Sequence, residues 1–254
     1  MYDESQMSNP KLSVIIPAYN EADNLKNGVL EEVYDYLKQQ KYTYEVLIVD
    51  DASKDNTREL VAQFIKDKPG FKLIENEHGG KAITVMSGLL KAEGEITVFT
   101  DMDQATPLDQ IEKLWPKFDE GFDIVIGSRQ GRKGAPLIRK ISAWGFATLR
   151  NLIVGLPFKD TQCGFKAFKQ DAIKKVFPEL LAKWKTHQQQ GSAVNAGFDI
   201  EFLFIARKKG LKIAEVPVTW HHVGTERVQL INDAIEAISD MLRIRFNDLS
   251  GKYN

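Results

Sequence analysis

The 254-residue chain is 43% hydrophobic and 27% charged, enough to bury one sizeable core and to exclude disordered, collagen-like and disulfide-scaffold classes. Its formal net charge of −1 supplies no global field for nucleic acid, and a mean hydropathy of −0.30 argues against several membrane spans. Cys163 is the single cysteine, which rules out an internal disulfide and fits a reducing compartment.

The N-terminus, MYDESQMSNPK, carries acids where a secretory signal has basic and apolar regions, so the expectation is a protein that stays where it is made. After this polar arm, residues 1–11, apolar β-branched runs alternate with amphipathic stretches, the pattern of an α/β domain with mostly parallel strands. The runs are Leu12–Pro17, Glu45–Val49, Phe71–Ile74, Ile96–Phe99 and Asp123–Ile126. Helices are expected near residues 21–40, 55–67, 81–92 and 107–120, with starts at Asp55 and at Thr106-Pro107 and stops at Gly94 and Gly121. Residues 128–136, SRQGRKGAP, read as a Gly-rich basic loop, and Leu137–Leu156 as a helix with apolar and basic positions. Residues 163–168 fit a short strand and 186–197 a loop. Phe198–Lys208 fits a helix, Lys212–Trp220 an alternating strand, and Asn232–Phe246 a C-terminal amphipathic helix. No internal repeat or low-complexity tract occurs.

Charge is uneven along this course. Between Asp123 and Asp160 there is no acidic residue, while Arg129, Arg132, Lys133, Arg139, Lys140, Arg150 and Lys159 fall within it. Such a stretch serves as a solvated basic face, an anion site or a membrane-facing patch.

Ligands of parallel α/β sheets sit beyond the carboxyl ends of the strands, because right-handed crossovers gather loops and helix N-termini there. Four runs end in polar groups suited to one ligand. The first ends in Ala18, Tyr19, Asn20 and Glu21, and the second in Asp50, Asp51 and Ser53. The third leads through Asn76 and His78 to Gly79, Gly80 and Lys81, and the fourth ends in Asp101, Met102 and Asp103. Where a strand breaks into a turn, Asp101 and Asp103 can embrace one hard cation that also binds diphosphate. Lys81, after two glycines at a helix start, suits a phosphate or carboxylate. The chain has no G-x-x-x-x-G-K-[ST], G-x-G-x-x-G or G-x-S-x-G sequence. Adjacent His221 and His222 would face opposite ways on a strand, and Cys163 without a C-x-x-C partner reads as a packing residue.

Taken in order, SVIIPAYNEADNL (13–25), VDDASKDNT (49–57), GGK (79–81), FTDMDQATP (99–107), IGSR (126–129), DTQCGFKAF (160–168), FDIEFLFIA (198–206) and EVPVTW (215–220) resemble family 2 glycosyltransferases of the GT-A fold. Within these, DTQCGFK with EVPVTW is similar to the dolichyl- and polyprenyl-phosphate sugar transferases, the dolichyl-phosphate β-glucosyltransferase type above all. The resemblance implies a Rossmann-like, mostly parallel central sheet flanked by helices, with acceptor-side helices toward the C-terminus. It implies one GT-A domain over 12–228 and a C-terminal helix, 229–254, packed on the domain or at a membrane interface. Pro17, Ala18, Tyr19, Glu21, Asp50, Lys81, Asp101, Met102 and Asp103 then match the nucleotide-sugar edge. Asp101 and Asp103 match the pair that holds Mg²⁺ or Mn²⁺. Arg129 matches a catalytic, phosphate-facing position, Arg139 an acceptor-phosphate position, and Gln162 with Asp199 a sugar or acceptor pocket. Two features depart from relatives: Gln104 directly follows Asp103 where a metal-binding Gln often stands one residue later, at Ala105, and no membrane helix opens the chain.

The implied reaction is an inverting displacement in which a lipid phosphate oxygen attacks the anomeric carbon of a nucleotide sugar, UDP-glucose by similarity. A phosphate monoester, with a second pKa of about 6, is largely ionised at neutral pH and needs no strong base. A sugar hydroxyl acceptor, as in cell-surface polysaccharide synthesis, would need one, with Asp199 or Glu201 available. A silent nucleotide-sugar-binding protein is a rival that intact Asp101, Asp103 and Lys81 argue against, and a nucleotidyltransferase is a third reading, whose N-terminal G-x-G-T-R-like loop the chain lacks. A lipid acceptor gives residues 137–157 a second reading. Arg139, Lys140 and Arg150 beside Ile141, Trp144, Phe146, Leu149 and Ile153 suit a helix lying in a lipid interface, or one packed on the sheet. The expectation is a peripheral protein of the cytoplasmic membrane face, with any membrane-protein partner unspecified.

Overall fold

A computed structural model describes residues 9–129, 137–186, 196–221 and 230–253. Seven strands form one sheet in the order β3-β2-β1-β4-β6-β5-β7. They are β1 (Leu12–Ala18), β2 (Tyr44–Asp50), β3 (Phe71–Glu75), β4 (Ile96–Thr100), β5 (Ile124–Arg129), β6 (Phe165–Lys169) and β7 (Ile213–Val218). All neighbouring pairs are parallel except those made by β6, which runs antiparallel to β4 and β5. The reversal has a consequence for function. Phe165 pairs with Thr100, so the DTQCG segment entering β6 meets the edge where β4 leaves the sheet.

Nine helices of the described residues flank the sheet: α1 (Ala22–Lys26), α2 (Val29–Leu37), α3 (Thr57–Ile65), α4 (Lys81–Lys91), α5 (Trp115–Asp119), α6 (Leu137–Val154), α7 (Gln170–Lys185), α8 (Ala196–Lys208) and α9 (Leu230–Leu249). Successive strand residues face opposite ways, and here both faces are covered. Ile15, Leu47, Val49, Phe99, Ile124 and Phe168 pack on one side against α4, α7 and α8. Leu12, Val14, Ile48, Val98, Val125 and Phe165 pack on the other against α2, α3 and the 3-10 turn Leu108–Lys113. Strands buried on both faces read as continuous apolar runs, which explains why their ends stand out so clearly in the sequence.

The differences from the sequence-based elements have local causes. The segment 21–40 divides into two helices because Gly28 takes φ +84°, a left-handed conformation. The segment 107–120 divides into a 3-10 turn and α5. Gly94 is no helix stop. A Cβ there would meet the Ser13 backbone, and its N–H donates to Ser13 Oγ at 2.8 Å, within a buried cluster where Ser13 Oγ donates to Glu45 at 2.7 Å. Helix α7 has no counterpart among the expected elements; Pro178 interrupts a run whose Ala172, Ile173, Val176, Phe177, Leu180 and Trp184 are all buried. Most of the loops expected at 128–136 and 186–197 lies outside the described residues, and Ser128 and Arg129 belong to β5.

One open reading concerns α6. Arg150, which the sequence leaves open between a lipid-facing stripe and a helix packed on the sheet, is 1% exposed, and its Nη1 donates to Thr161 Oγ1 at 3.1 Å. Phe146 and Ile153 likewise pack against the core. Among the described side chains of α6, Leu149 and Leu152 are the exposed large apolar groups.

Candidate active site

The carboxyl edge of β1, β2 and β4 is built from backbone bends and the side chains that lock them. Asn20 adopts φ +55°, its N–H donating to Ser53 Oγ at 3.0 Å and its Oδ1 accepting from Lys54 N at 2.8 Å. Glu21 N donates to Thr57 Oγ1 at 2.8 Å, which binds the loop after β1 to the start of α3. Asp50 is fully buried; it accepts Ser53 N at 3.0 Å and pairs with Arg58 Nε at 3.2 Å. Asp51 shapes the next loop, accepting Gly79 N and Gly80 N at 2.7 and 2.9 Å, with His78 Nδ1 2.9 Å from its Oδ2. His78 is thereby brought beside Tyr19, ring centroids 4.8 Å apart. Pro17 and Ala18 end β1 immediately before this aromatic step.

Behind it lies the cluster that carries charge. Gln104 takes φ +47°, and its N–H and Nε2 both donate to the Asp101 carbonyl, at 3.1 and 2.8 Å, closing the turn that holds Asp101, Met102 and Asp103. Met102 is buried and anchors the turn in the apolar layer. The glutamine that departs from the relatives' pattern therefore builds the turn from within. Lys81, opening α4, reaches Asp101 Oδ1 at 2.5 Å. Gly164 lies against Asp101 so closely that any Cβ would collide with the carboxylate.

On the far side of Gly164, Lys166 is fully buried and donates to Asp199 Oδ1 at 2.7 Å and to the Cys163 carbonyl. Strand alternation places Lys166 on the same face as Phe168, toward α8 and Asp199. Burial raises the Asp199 pKa and nearby Asp101 adds to this, while Lys166 and Lys81 oppose it. For Lys81 burial works downward, but Asp101, Asp199 and Asp103 outweigh it and hold the ammonium above its usual value. Burial also pushes the Asp103 carboxyl up, aided by Asp101 and opposed by its bond from Ala105 N at 3.0 Å and by Lys81. Two crowded, partly desolvated carboxylates suit a bound cation. Among the described residues no third His, Cys, Asp or Glu completes a cage. Two carboxylates fit an ion whose remaining ligands are phosphate oxygens and water, the pattern of Mg²⁺ and related hard ions.

At the end of β5, Arg129 forms a fork on Asp160. Its Nε and Nη2 donate at 2.7 and 2.8 Å, and its backbone N–H at 3.1 Å. Burial raises the Asp160 pKa, but the Arg129 fork outweighs it and holds the carboxyl at about 2. The Asp160 N–H and Lys159 N–H donate to Glu215 on β7 at 2.7 and 2.9 Å, and the Trp220 ring lies 5.9 Å from the Arg129 guanidinium carbon. Gln162 is exposed on this segment, its N–H 3.2 Å from Asp160 Oδ1.

The fold thus gathers Tyr19, Lys81, Asp101, Asp103 and Asp199 around one edge, with Arg129 and Gln162 on the adjoining segment. The side chain of Arg139, like His222, lies outside the described residues. His221 is exposed, and its N–H donates to the Ala105 carbonyl at 2.7 Å, so it braces the turn through its backbone. Cys163 is buried, as a packing residue. The sequence pattern alone does not assign Asp160, Lys166 or Glu215 to the site, whereas Asp51 stands among the acids that end the second strand. Asp160 and Lys166 are within its reach, as the acid that ends the basic stretch and the cation of an apolar strand.

A mostly parallel sheet with paired acids after its fourth strand and a basic second half fits a nucleotide-sugar transferase. Residues 13–177 match the glycosyl transferase family 2 model, and the chain belongs to that family; it is a glycosyltransferase. It is 32% identical to dolichyl-phosphate beta-glucosyltransferase of Dictyostelium discoideum over 98% of this chain and 78% of that protein. It is also 32% identical to the Saccharomyces cerevisiae enzyme of that name over 95% and 76%, and 30% identical to the human one over 96% and 77%. Among solved structures, mannosyl-3-phosphoglycerate synthase from Rubrobacter xylanophilus superposes with a TM-score of 0.67 at 18% identity, covering 96% of this chain and 75% of that one. Glucosyl-3-phosphoglycerate synthase from Mycobacterium tuberculosis, solved with Mn²⁺, UDP and glucosyl-3-phosphoglycerate, gives 0.63 at 19%, covering 93% and 80%. These likenesses establish the GT-A fold.

Proposed function

We propose that this protein transfers glucose, with inversion, from UDP-glucose to a polyprenyl phosphate of the dolichyl type, using Mg²⁺ or Mn²⁺. The observation that carries this reading is the meeting, across Gly164, of the Asp101–Asp103–Lys81 cluster with the DTQCG segment that holds Arg129. Tyr19, whose ring is tilted against His78, offers an aromatic face to the nucleobase, and Glu21 and Asp50 shape that edge. Asp101 and Asp103 would hold the metal, which when bound offsets charge on the diphosphate. Lys81 adds a fixed positive charge beside them, where charge grows as the bond from the anomeric carbon to the leaving diphosphate breaks. Arg129 orients the acceptor phosphate, whose oxygen forms the new bond to that carbon, and Arg139 assists it. Already ionised, the phosphate gives up no proton. Asp199, secured by Lys166, is therefore available with Gln162 to bind sugar or acceptor hydroxyls. A donor panel of UDP-glucose, UDP-GlcNAc and GDP-mannose with polyprenyl phosphate tests this. Organic-extractable sugar is expected chiefly from UDP-glucose with divalent metal, and transfer confined to a water-soluble sugar hydroxyl would overturn it.

The same reading places the enzyme as a peripheral protein at the cytoplasmic membrane face, where a lipid acceptor presents its headgroup. No helix among the described residues is long and apolar enough to cross a membrane. Exposed apolar groups support contact instead: Leu152 on α6 is 83% exposed, and Leu242, Phe246 and Leu249 on α9 are 56%, 68% and 74% exposed. The three on α9 follow i, i+4, i+7 spacing, opposite buried Met241 and Ile244. With the acid-free basic stretch that contains α6, they suit an anionic lipid surface. The protein is expected to float with anionic vesicles at low salt and to do so less as salt rises. Complete retention in the soluble fraction at low salt would return α6 and α9 to ordinary surface.

A further inference from the structure

Arg150 is the one fully buried guanidinium among the largest buried side chains of the described residues. Its Nη1 donates to Thr161 Oγ1, while Nε and Nη2 are buried with no hydrogen-bond partner among those residues. A buried cation with idle donors is expensive, and an apolar side chain would fill the same volume without that cost. Burial accordingly drives its proton affinity down, and the charges that oppose this are Asp160 and Glu215. Asp160 is the carboxylate held by Arg129, and Glu215 is the one that fixes the Lys159 and Asp160 N–H groups. Thr161, which Arg150 holds, directly follows Asp160, so both guanidinium groups act on the segment 159–161 whose backbone Glu215 also fixes. Arg129 spends Nε and Nη2 on Asp160, and Nη1 takes no part in the fork.

We propose that Arg150 is a positioning residue for the acceptor phosphate: from α6 it pins Thr161, the residue that follows Asp160 in the chain, so that the Arg129 fork is held in one orientation. It touches no substrate. The proposal rests on the reading of Arg129 as the acceptor-phosphate group.

The test is steady-state kinetics of Arg150→Met, Arg150→Lys and Thr161→Val beside Arg129→Met. Arg150→Met removes two idle donors but also the donor to Thr161 Oγ1 and a charge that faces Asp160 and Glu215, so its melting temperature should fall, and the kinetics are read well below it. Its KM for polyprenyl phosphate should rise about tenfold, the scale of one charge-assisted hydrogen bond, with the KM for nucleotide sugar unchanged. Arg150→Lys should recover part of the loss. If Arg150→Met does not fold, Thr161→Val, which deletes only the hydroxyl, supplies the same comparison. An acceptor KM unmoved in the folded variant, or equal rises for donor and acceptor, overturns the role of Arg150. If Arg129→Met raises the acceptor KM and Arg150→Met does not, only the positioning role fails. If neither moves it, the acceptor reading of Arg129 fails as well.

Discussion

Asp103→Asn should reduce metal-dependent transfer by about 10³-fold while leaving the protein as stable as before or more so. The activity loss follows from the proposed role of Asp103 as one of the two carboxylates that hold the metal against the diphosphate, where electrostatic help is worth most. The stability gain follows from crowding. Burial and Asp101 already press the Asp103 carboxyl toward its neutral form, so its ionised form costs folding energy at neutral pH. The hydrogen bond it accepts from Ala105 N can be kept, because the amide oxygen of Asn also accepts, without the carboxylate's charge. Turnover with Mn²⁺ and a melting temperature, measured on the same preparation, check both halves. Near-normal turnover would sink the assignment of the site. Gly164→Ala is the companion variant: its methyl group must displace the Asp101 carboxylate, so activity should fall by a similar factor, this time with a lowered melting temperature. Opposite stability changes with the same loss of activity would separate a residue that serves the donor from one that makes room for it.

The contrast between these two positions indicates what could be read from the chain itself. Asp101 and Asp103 stand at the end of ITVFT, and a strand buried on both faces makes its polar terminus conspicuous. Lys81 after two glycines, the acids after VLIV and the tyrosine after the first strand are visible for the same reason. Gly164 is different, because nothing local says that a carboxylate from the end of a distant strand lies on it. The direction of β6 is equally silent in a short apolar run, yet that direction brings Asp160 to Arg129 and Lys166 to Asp199. Arg150 shows the limit most plainly. Helical spacing puts it among basic and apolar neighbours, and only the packed structure turns it inward to Thr161. Ends of strands are local properties, whereas ion pairs across a sheet depend on strand order, which apolar periodicity does not encode.

The Arg129–Asp160 pair is where that non-local information should have its largest effect on stability. Both side chains are mostly buried, and the fork uses both carboxylate oxygens. Asp160→Asn leaves the Arg129 cation without its counter-charge and turns an amide N–H₂ toward its donors, which should cost about 3–5 kcal/mol. The pH dependence gives an independent check. The Asp160 carboxyl is lowered from 3.8 to about 2 by Arg129. A group whose folded pKa is depressed contributes its stability fully above its unfolded value and loses it as pH falls through the folded one. The wild type should therefore shed about 2 kcal/mol between pH 4 and pH 2 from this residue, and Asp160→Asn should lack that part of the acid limb. Urea unfolding at neutral pH and at several points through this window measures both effects. An acid limb of unchanged steepness in the variant would mean that the fork carries no net stability. Because the same fork fixes where the guanidinium points, the variant should also bind polyprenyl phosphate more weakly than it binds the nucleotide sugar. Equal weakening would assign Arg129 to the donor and leave the acceptor phosphate to Arg139.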